Sequence, residues 1–309
     1  MDNFDDLFER RLTYPDPAAR YRFDELVGID NAKSTIVKSI CIFLDHEKLE
    51  RWREKYHKGI SKLLDKVLRR PPLLLLAGDV GTGKTQLAES AGDPVARELG
   101  IGVTLFPVSL STRGTGRVGE MTKLISSAFE YTLKEAEKFK ESETKSPRAG
   151  VILLIDEADA LAQSREIGQM HHEDRAGVNA FIRGIDRIAD SQVPAVVIMC
   201  TNRLSAIDPA VRRRAAEIIE FTRPNKEQAK SVLNVLSEVG FSDAQISKLA
   251  EIVTNTNYHG TGFTYSDLTQ RLLPAIVLGA YPDSPIDFET ISQTIEAIKP
   301  TPPFQEQKL

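Results

Sequence analysis

Cysteine, tryptophan and long apolar runs are all scarce in this chain. Its 309 residues include two cysteines, one tryptophan and four methionines. Cys41 and Cys200 stand far apart, each in an apolar run. They read as buried, reduced thiols of a cytoplasmic protein, not as a disulfide framework. The longest apolar stretch is about "PPLLLLAG", far short of a membrane span. The opening residues, "MDNFDDLFERR", are acidic and lack the apolar centre of a secretory signal. Positive charge is not in excess either. Forty Lys and Arg face 44 Asp and Glu, a formal net charge of -4, so nothing pulls the whole chain toward nucleic acid or an anionic membrane. Hydrophobic residues at 41% and charged residues at 27% fit an ordinary globular protein of one or two domains.

What the chain does have is alternation. Short apolar runs, "LLLLAG", "VTLFPVSL", "VILLID", "AVVIMCTN" and "EIIEF", are separated by stretches of helical spacing. Continuous apolar runs suit strands buried on both faces of a parallel sheet. The expected fold is therefore α/β: a five-stranded parallel sheet sandwiched by helices over residues 23–222. After "TRPN" only helical patterns follow, which predicts a small all-helical domain over 223–299. Gly240 and Asn255 are the expected helix stops, and Ser242 and Asp287 the expected N-caps. Residues 1–22 read as a polar N-terminal extension and 300–309 as a loose C-terminal tail.

"GDVGTGKT", residues 78–85, fits G-x-x-x-x-G-K-[ST] between an expected strand and an expected helix. Gly78, Gly81 and Gly83 would let backbone N–H groups approach phosphate oxygens, with Val80, Thr82 and Gln86 completing the nucleotide-facing set. Lys84 would reach the β- and γ-phosphates, and Thr85 would offer its hydroxyl to Mg²⁺. "VILLIDEAD" is an apolar strand that ends in acids. Asp156 there is a candidate Mg²⁺ ligand and Glu157 a candidate general base for water. Asn202, after the next strand, is placed either to reach the γ-phosphate or to cap a turn. Arg212, Arg213 and Arg214 form a triplet that is either a solvated face or a source of positive charge for a neighbouring subunit's site.

This order of motifs resembles the AAA+ ATPases of the protein-remodelling clade, over about residues 23–298. "RAGVNAFIRGIDRI", "RRRAAE" and "SDLTQRLLP" are most similar to the pachytene-checkpoint ATPases, which remodel HORMA-domain proteins. The resemblance implies ATP and Mg²⁺ as cofactors and a homohexamer as the working form. It places Val27 and Gly28 at the adenine, Asn202 at the first sensor, and Arg214 at the arginine finger with Arg213 beside it. Arg271 is the candidate second sensor, because Leu268 stands where the family can carry arginine. The family's N-terminal substrate domain has no counterpart in the 22 residues before Phe23. Short bacterial relatives linked to anti-phage signalling operons share that feature, which implies a HORMA-domain protein and a nucleotidyltransferase as partners.

"GTGRVG", residues 114–119, matches a dinucleotide-binding fingerprint, but the acid expected about 20 residues on is missing from the end of the next strand. It reads better as the remodellers' substrate pore loop, with Arg117 at the usual aromatic position and Val118 after it. Arginine there suits partial unfolding of a chosen segment. His171 and His172 read as a polar loop, and Trp52 and Tyr56 as the packed face of a connector helix. Two rival functions remain: an ATP-gated scaffold, which would need neither Glu157 nor Arg214, and a nucleic-acid motor, which the acidic balance disfavours.

Overall fold

The computed structural model describes residues 7–57, 61–110, 119–140, 146–159, 173–256 and 260–303. The chain divides into two compact units. One comprises Met1–Phe23, Asn31–Ala77 and Thr85–Glu220; the other comprises Asp24–Asp30, Gly78–Lys84 and Phe221–Leu309.

The first unit is built on a six-stranded sheet. Its strands are β1 (Leu12–Tyr14), β2 (Leu73–Gly78), β3 (Gly102–Ser109), β4 (Ala149–Asp156), β5 (Ala195–Thr201) and β6 (Glu217–Phe221), in the spatial order β1-β3-β4-β5-β2-β6. The pairs β3–β4, β4–β5 and β2–β5 are parallel, with Val103 opposite Gly150, Val151 opposite Ala195 and Leu73 opposite Val197. Leu73 to Leu76 and Ile152 to Leu154 are wholly buried, as runs covered on both faces must be. All five expected strands are present.

The sixth strand was not expected. β1 pairs antiparallel with β3, Leu12 opposite Leu105, inside the segment read as a polar extension. Leu7 and Phe8 join the main core, where Phe8 packs on Phe106 at 5.1 Å and on Tyr131 at 5.2 Å. Tyr14 donates its hydroxyl to the Glu89 carbonyl, and the Asp16 amide donates to Asp93. Three apolar anchors among charged neighbours are too few to show as a periodic run, yet they suffice to hold a short edge strand.

One helical layer of this unit contains the helices Glu120–Glu137 and Glu173–Ser191. They meet through Phe129 and Phe181, edge to face at 5.4 Å, and Gly184 lies directly under the Phe129 ring. The charged connector forms two helices, His46–Tyr56 and Ser61–Leu68. Trp52 is 46% exposed and Tyr56 59%, so their face is not packed as expected; Trp52 instead meets the His57 ring at 4.6 Å.

The second unit has its own core of Leu233, Ile246, Leu249, Phe263, Leu268, Leu272, Ile276, Ile291 and Ile295. Apart from Phe263, which lies in an irregular segment, these residues come from the helices Lys226–Leu233, Asp243–Thr254, Leu273–Ala280 and Phe288–Ala297 and from a π-helical turn, Asp267–Leu272. The caps sit where the sequence places them. Ser242 accepts from the Gln245 amide in a capping box, Asp287 accepts from the Thr290 amide, Gly240 is left-handed at φ 93°, and Asn255 ends its helix. Pro274 cannot donate back to the Gln270 carbonyl, a local reason for the widened turn before it. Among the described residues no helix is long and apolar enough to cross a membrane.

A Cβ on Gly184 would lie 2.3 Å from the Phe129 ring. Alanine favours a helix over glycine by about 1 kcal/mol. Overpacking a filled site costs about 1–3 kcal/mol, so the clash should win. Gly184→Ala should therefore lower the thermal midpoint of the purified protein, and a raised midpoint would show that these helices are loosely packed.

Candidate active site

In the second unit, the loop from Gly78 to Lys84 wraps tightly. Gly78, Gly81 and Gly83 have φ values of 151°, 74° and 94°. A Cβ at Gly78 would sit 2.1 Å from the Phe221 carbonyl oxygen, and one at Gly81 would sit 2.8 Å from Thr264 Oγ1. Only glycine fits at either place. The Gly81 carbonyl accepts from the Ser266 amide at 3.0 Å, which joins the loop to the chain just before the π-helical turn. Lys84, 6% exposed, donates its ammonium to the Asp79 carbonyl at 2.8 Å, and Thr82 Oγ1 donates to the same oxygen at 2.7 Å. A tight loop closing on a buried ammonium is the donor set a polyphosphate needs. Asp79 spends its carboxylate elsewhere: Oδ1 accepts from the Val80 amide at 2.9 Å, and Oδ2 accepts from Arg223. Val80 itself is 44% exposed.

Val27 and Gly28 belong to the same unit. Val27 is 39% exposed, and the Gly28 carbonyl accepts from Gln228 Nε2 at 2.7 Å. The Tyr265 hydroxyl lies 3.3 Å from where a Gly28 Cβ would be. It is buried and has no hydrogen-bond partner among the described residues. Burial, and then the Asp30 charge, push this phenol up to about 12. Arg271 donates to Asp267, four residues earlier, at 2.6 Å, while Leu268 is fully buried. Burial raises the Asp267 carboxyl. The Thr264 and Thr301 amides, the Thr301 hydroxyl and Arg271 outweigh that and hold it at about 2.

In the first unit, the carboxyl ends of the central strands carry the acids. Asp156 closes β4, and its Oδ1 accepts from the Glu157 amide at 2.8 Å. Glu157 has φ 53°, a left-handed backbone that costs a non-glycine residue free energy and concentrates at functional sites. Asp159, 7% exposed, accepts from Thr201 Oγ1 at 3.4 Å and from the Asn202 amide at 3.2 Å, tying the end of β5 to the acids after β4. Thr85 is exposed at the start of its helix, and Gln86 donates to the Arg22 carbonyl at 3.1 Å. Arg213 is exposed after the short helix Pro209–Arg212. Arg214 is forked onto Asp186, Nε to Oδ1 at 2.9 Å and Nη2 to Oδ2 at 3.1 Å.

Each unit thus gathers part of the expected set: the phosphate loop with Val27, Gly28 and Arg271 in one, and Thr85, Gln86, Asp156, Glu157, Asn202, Arg213 and Arg214 in the other. Arg117, Val118, His171 and His172 lie outside the described residues; Gly119, at φ 82°, precedes the helix at Glu120. Sequence reasoning missed Asp79, Arg223, Asp159, Asp186, Tyr265 and Asp267. Asp159 was findable, being the last acid of the "DEAD" run at a strand end. The Asp79–Arg223 pair spans 144 positions and leaves no local pattern.

Residues 74–223 match the model for the ATPase family associated with various cellular activities (AAA). The chain is 51% identical over 307 residues, covering 99% of itself and 98% of its relative, to CD-NTase-associated protein 6 of Escherichia coli (strain MS 115-1). Its fold is similar to a chain of the solved Escherichia coli MS115-1 HORMA:CdnC:Trip13 complex, at a TM-score of 0.89 and 51% identity, with 98% of this chain and 99% of that chain covered. It is similar also to Trip13 from Rhizobiales, at a TM-score of 0.77 and 46% identity, covering 96% and 100%. With near-complete coverage at this identity, the phosphate loop and the strand-end acids sit in a shared framework: the chain belongs to the AAA ATPases, in the Trip13 branch that includes CD-NTase-associated protein 6.

Proposed function

We propose that this protein is a Mg²⁺-dependent ATP hydrolase, working as a cytoplasmic homohexamer that remodels a HORMA-domain protein bound to a nucleotidyltransferase in bacterial anti-phage signalling. The likeness along the whole chain to the Trip13 subunit of a HORMA:CdnC:Trip13 complex carries this reading. Lys84 and the loop amides hold the phosphates, while Thr85 and Asp156 hold Mg²⁺. Glu157 takes the proton of the attacking water, and Asn202 orients that water. Arg214, with Arg213 beside it, supplies positive charge to the neighbouring subunit's γ-phosphate. Val27 and Gly28 flank the adenine, Arg271 senses nucleotide from the helical unit, and Arg117 and Val118 grip the substrate. A scaffold that only binds ATP would need neither an acid at 157 nor a positioned arginine at 214.

Calorimetry paired with phosphate release separates binding from chemistry. Lys84→Ala should lose ATP binding, whereas Glu157→Gln should bind ATP and turn over about 10²–10⁴-fold more slowly. Unchanged turnover in Glu157→Gln would remove that residue from its role.

Arg214→Ala should bind nucleotide and lose hydrolysis by about 10³–10⁵-fold. Mixing it with Glu157→Gln subunits should restore part of the activity, because some interfaces then pair an intact Glu157 with an intact Arg214. No rescue, with subunit exchange confirmed, would place Arg214 in its own subunit's chemistry or in none.

The remodelling claim is tested with a HORMA-domain protein in complex with its nucleotidyltransferase. Wild-type protein and ATP should release the partner, and Arg117→Ala should fail to do so while its ATP hydrolysis stays largely intact. Release by Arg117→Ala at the wild-type rate would contradict the grip assigned to that side chain.

A further inference from the structure

Asp79 presents a puzzle of charge. It is the second residue of a loop whose expected ligand is a polyphosphate, and a carboxylate there should repel it. Within the helical unit this charge is covered. Arg223 Nε and Nη2 both donate to Asp79 Oδ2, at 2.9 and 2.6 Å, and the two side chains are only 17% and 15% exposed. The third guanidinium nitrogen, Nη1, donates to the Gly262 carbonyl at 2.5 Å, on the segment that leads to the Ser266–Gly81 contact. The Asp79 main chain serves the loop at the same time, because its carbonyl accepts from Lys84 and Thr82. One residue therefore fixes the lysine's resting position with its backbone and anchors the helical unit's arginine with its side chain.

We propose that Arg223 is a positioning residue for nucleotide binding: it neutralises Asp79 and so sets the net charge, and with it the ATP affinity, of the phosphate loop. This rests on reading Gly78–Lys84 as the phosphate site. A Mg²⁺-bound triphosphate is still an anion, so a bare carboxylate in the loop opposes it, and a mostly buried charge is weakly screened by salt. Arg223 need not touch the nucleotide to act. It cancels the opposing charge, and its bond to Gly262 links that cancellation to the helical segment beside the loop.

The test is ATP and ADP affinity, by calorimetry with Mg²⁺, on four proteins of confirmed thermal stability: wild type, Arg223→Gln, Asp79→Asn and the Asp79→Asn, Arg223→Gln double variant. Affinity should follow the charge of the pair. Arg223→Gln should bind ATP about tenfold or more weakly, with a larger loss for ATP than for ADP. The double variant should recover most of that loss. Asp79→Asn leaves Arg223 uncompensated and should bind ATP about threefold or more tightly than wild type; this arm stands even if Arg223→Gln does not fold. A double variant as weak as Arg223→Gln, or an Asp79→Asn protein no tighter than wild type, overturns the proposal. Wild type that binds no ATP would instead overturn the phosphate-loop reading beneath it.

Discussion

A parallel sheet buried on both faces can offer polar groups to solvent only where its strands end. Leu73–Leu76, Ile152–Leu154 and Val196–Ile198 carry no exposed surface, so no polar group can stand along them without losing its hydration. Polar chemistry is displaced to the carboxyl ends, and there Asp156, Glu157, Thr201 and Asn202 follow in two adjacent strands. Asp159 then joins those ends with bonds to Thr201 and the Asn202 amide. The left-handed backbone at Glu157 is tolerated because the chain on either side of it is held.

The phosphate loop obeys a different constraint, that of close approach. Gly78 packs against Phe221, at the end of β6, and Gly81 against Thr264 and Ser266, residues grouped with the loop in one unit. Loop position and the position of those segments are therefore one variable within that unit. Phosphates that drew Lys84 from the Asp79 carbonyl would disturb the residue that also anchors Arg223. Arg214 is held in an analogous way, in a fork on Asp186. In both places an arginine's position is set by an aspartate within its own unit.

Much of this was legible in the sequence because the signals were local. The apolar runs of β2, β4 and β5, the "GDVGTGKT" loop and the caps at Ser242 and Asp287 each declare themselves within a dozen residues. What escaped was either too short or too distant. β1 is three residues among charges, and its partner lies about ninety positions away. Asp186 and Arg214 are 28 positions apart, and Asp79 and Arg223 are 144 apart. Such pairs are made by the fold and have no periodicity of their own. The π-helical turn at Asp267–Leu272 had only Pro274 to announce it, and no local pattern marks Asp267, which is 1% exposed and accepts from Thr301.

Hydrolysis of Mg²⁺-bound ATP is the activity we propose for this protein. Steady-state phosphate release by the purified wild-type protein, with Mg²⁺ and then with the metal chelated, measures it directly. Sustained release over many turnovers that stops on chelation is the predicted result. ATP that binds to the folded protein and is never hydrolysed, with or without a HORMA-domain partner, would contradict it.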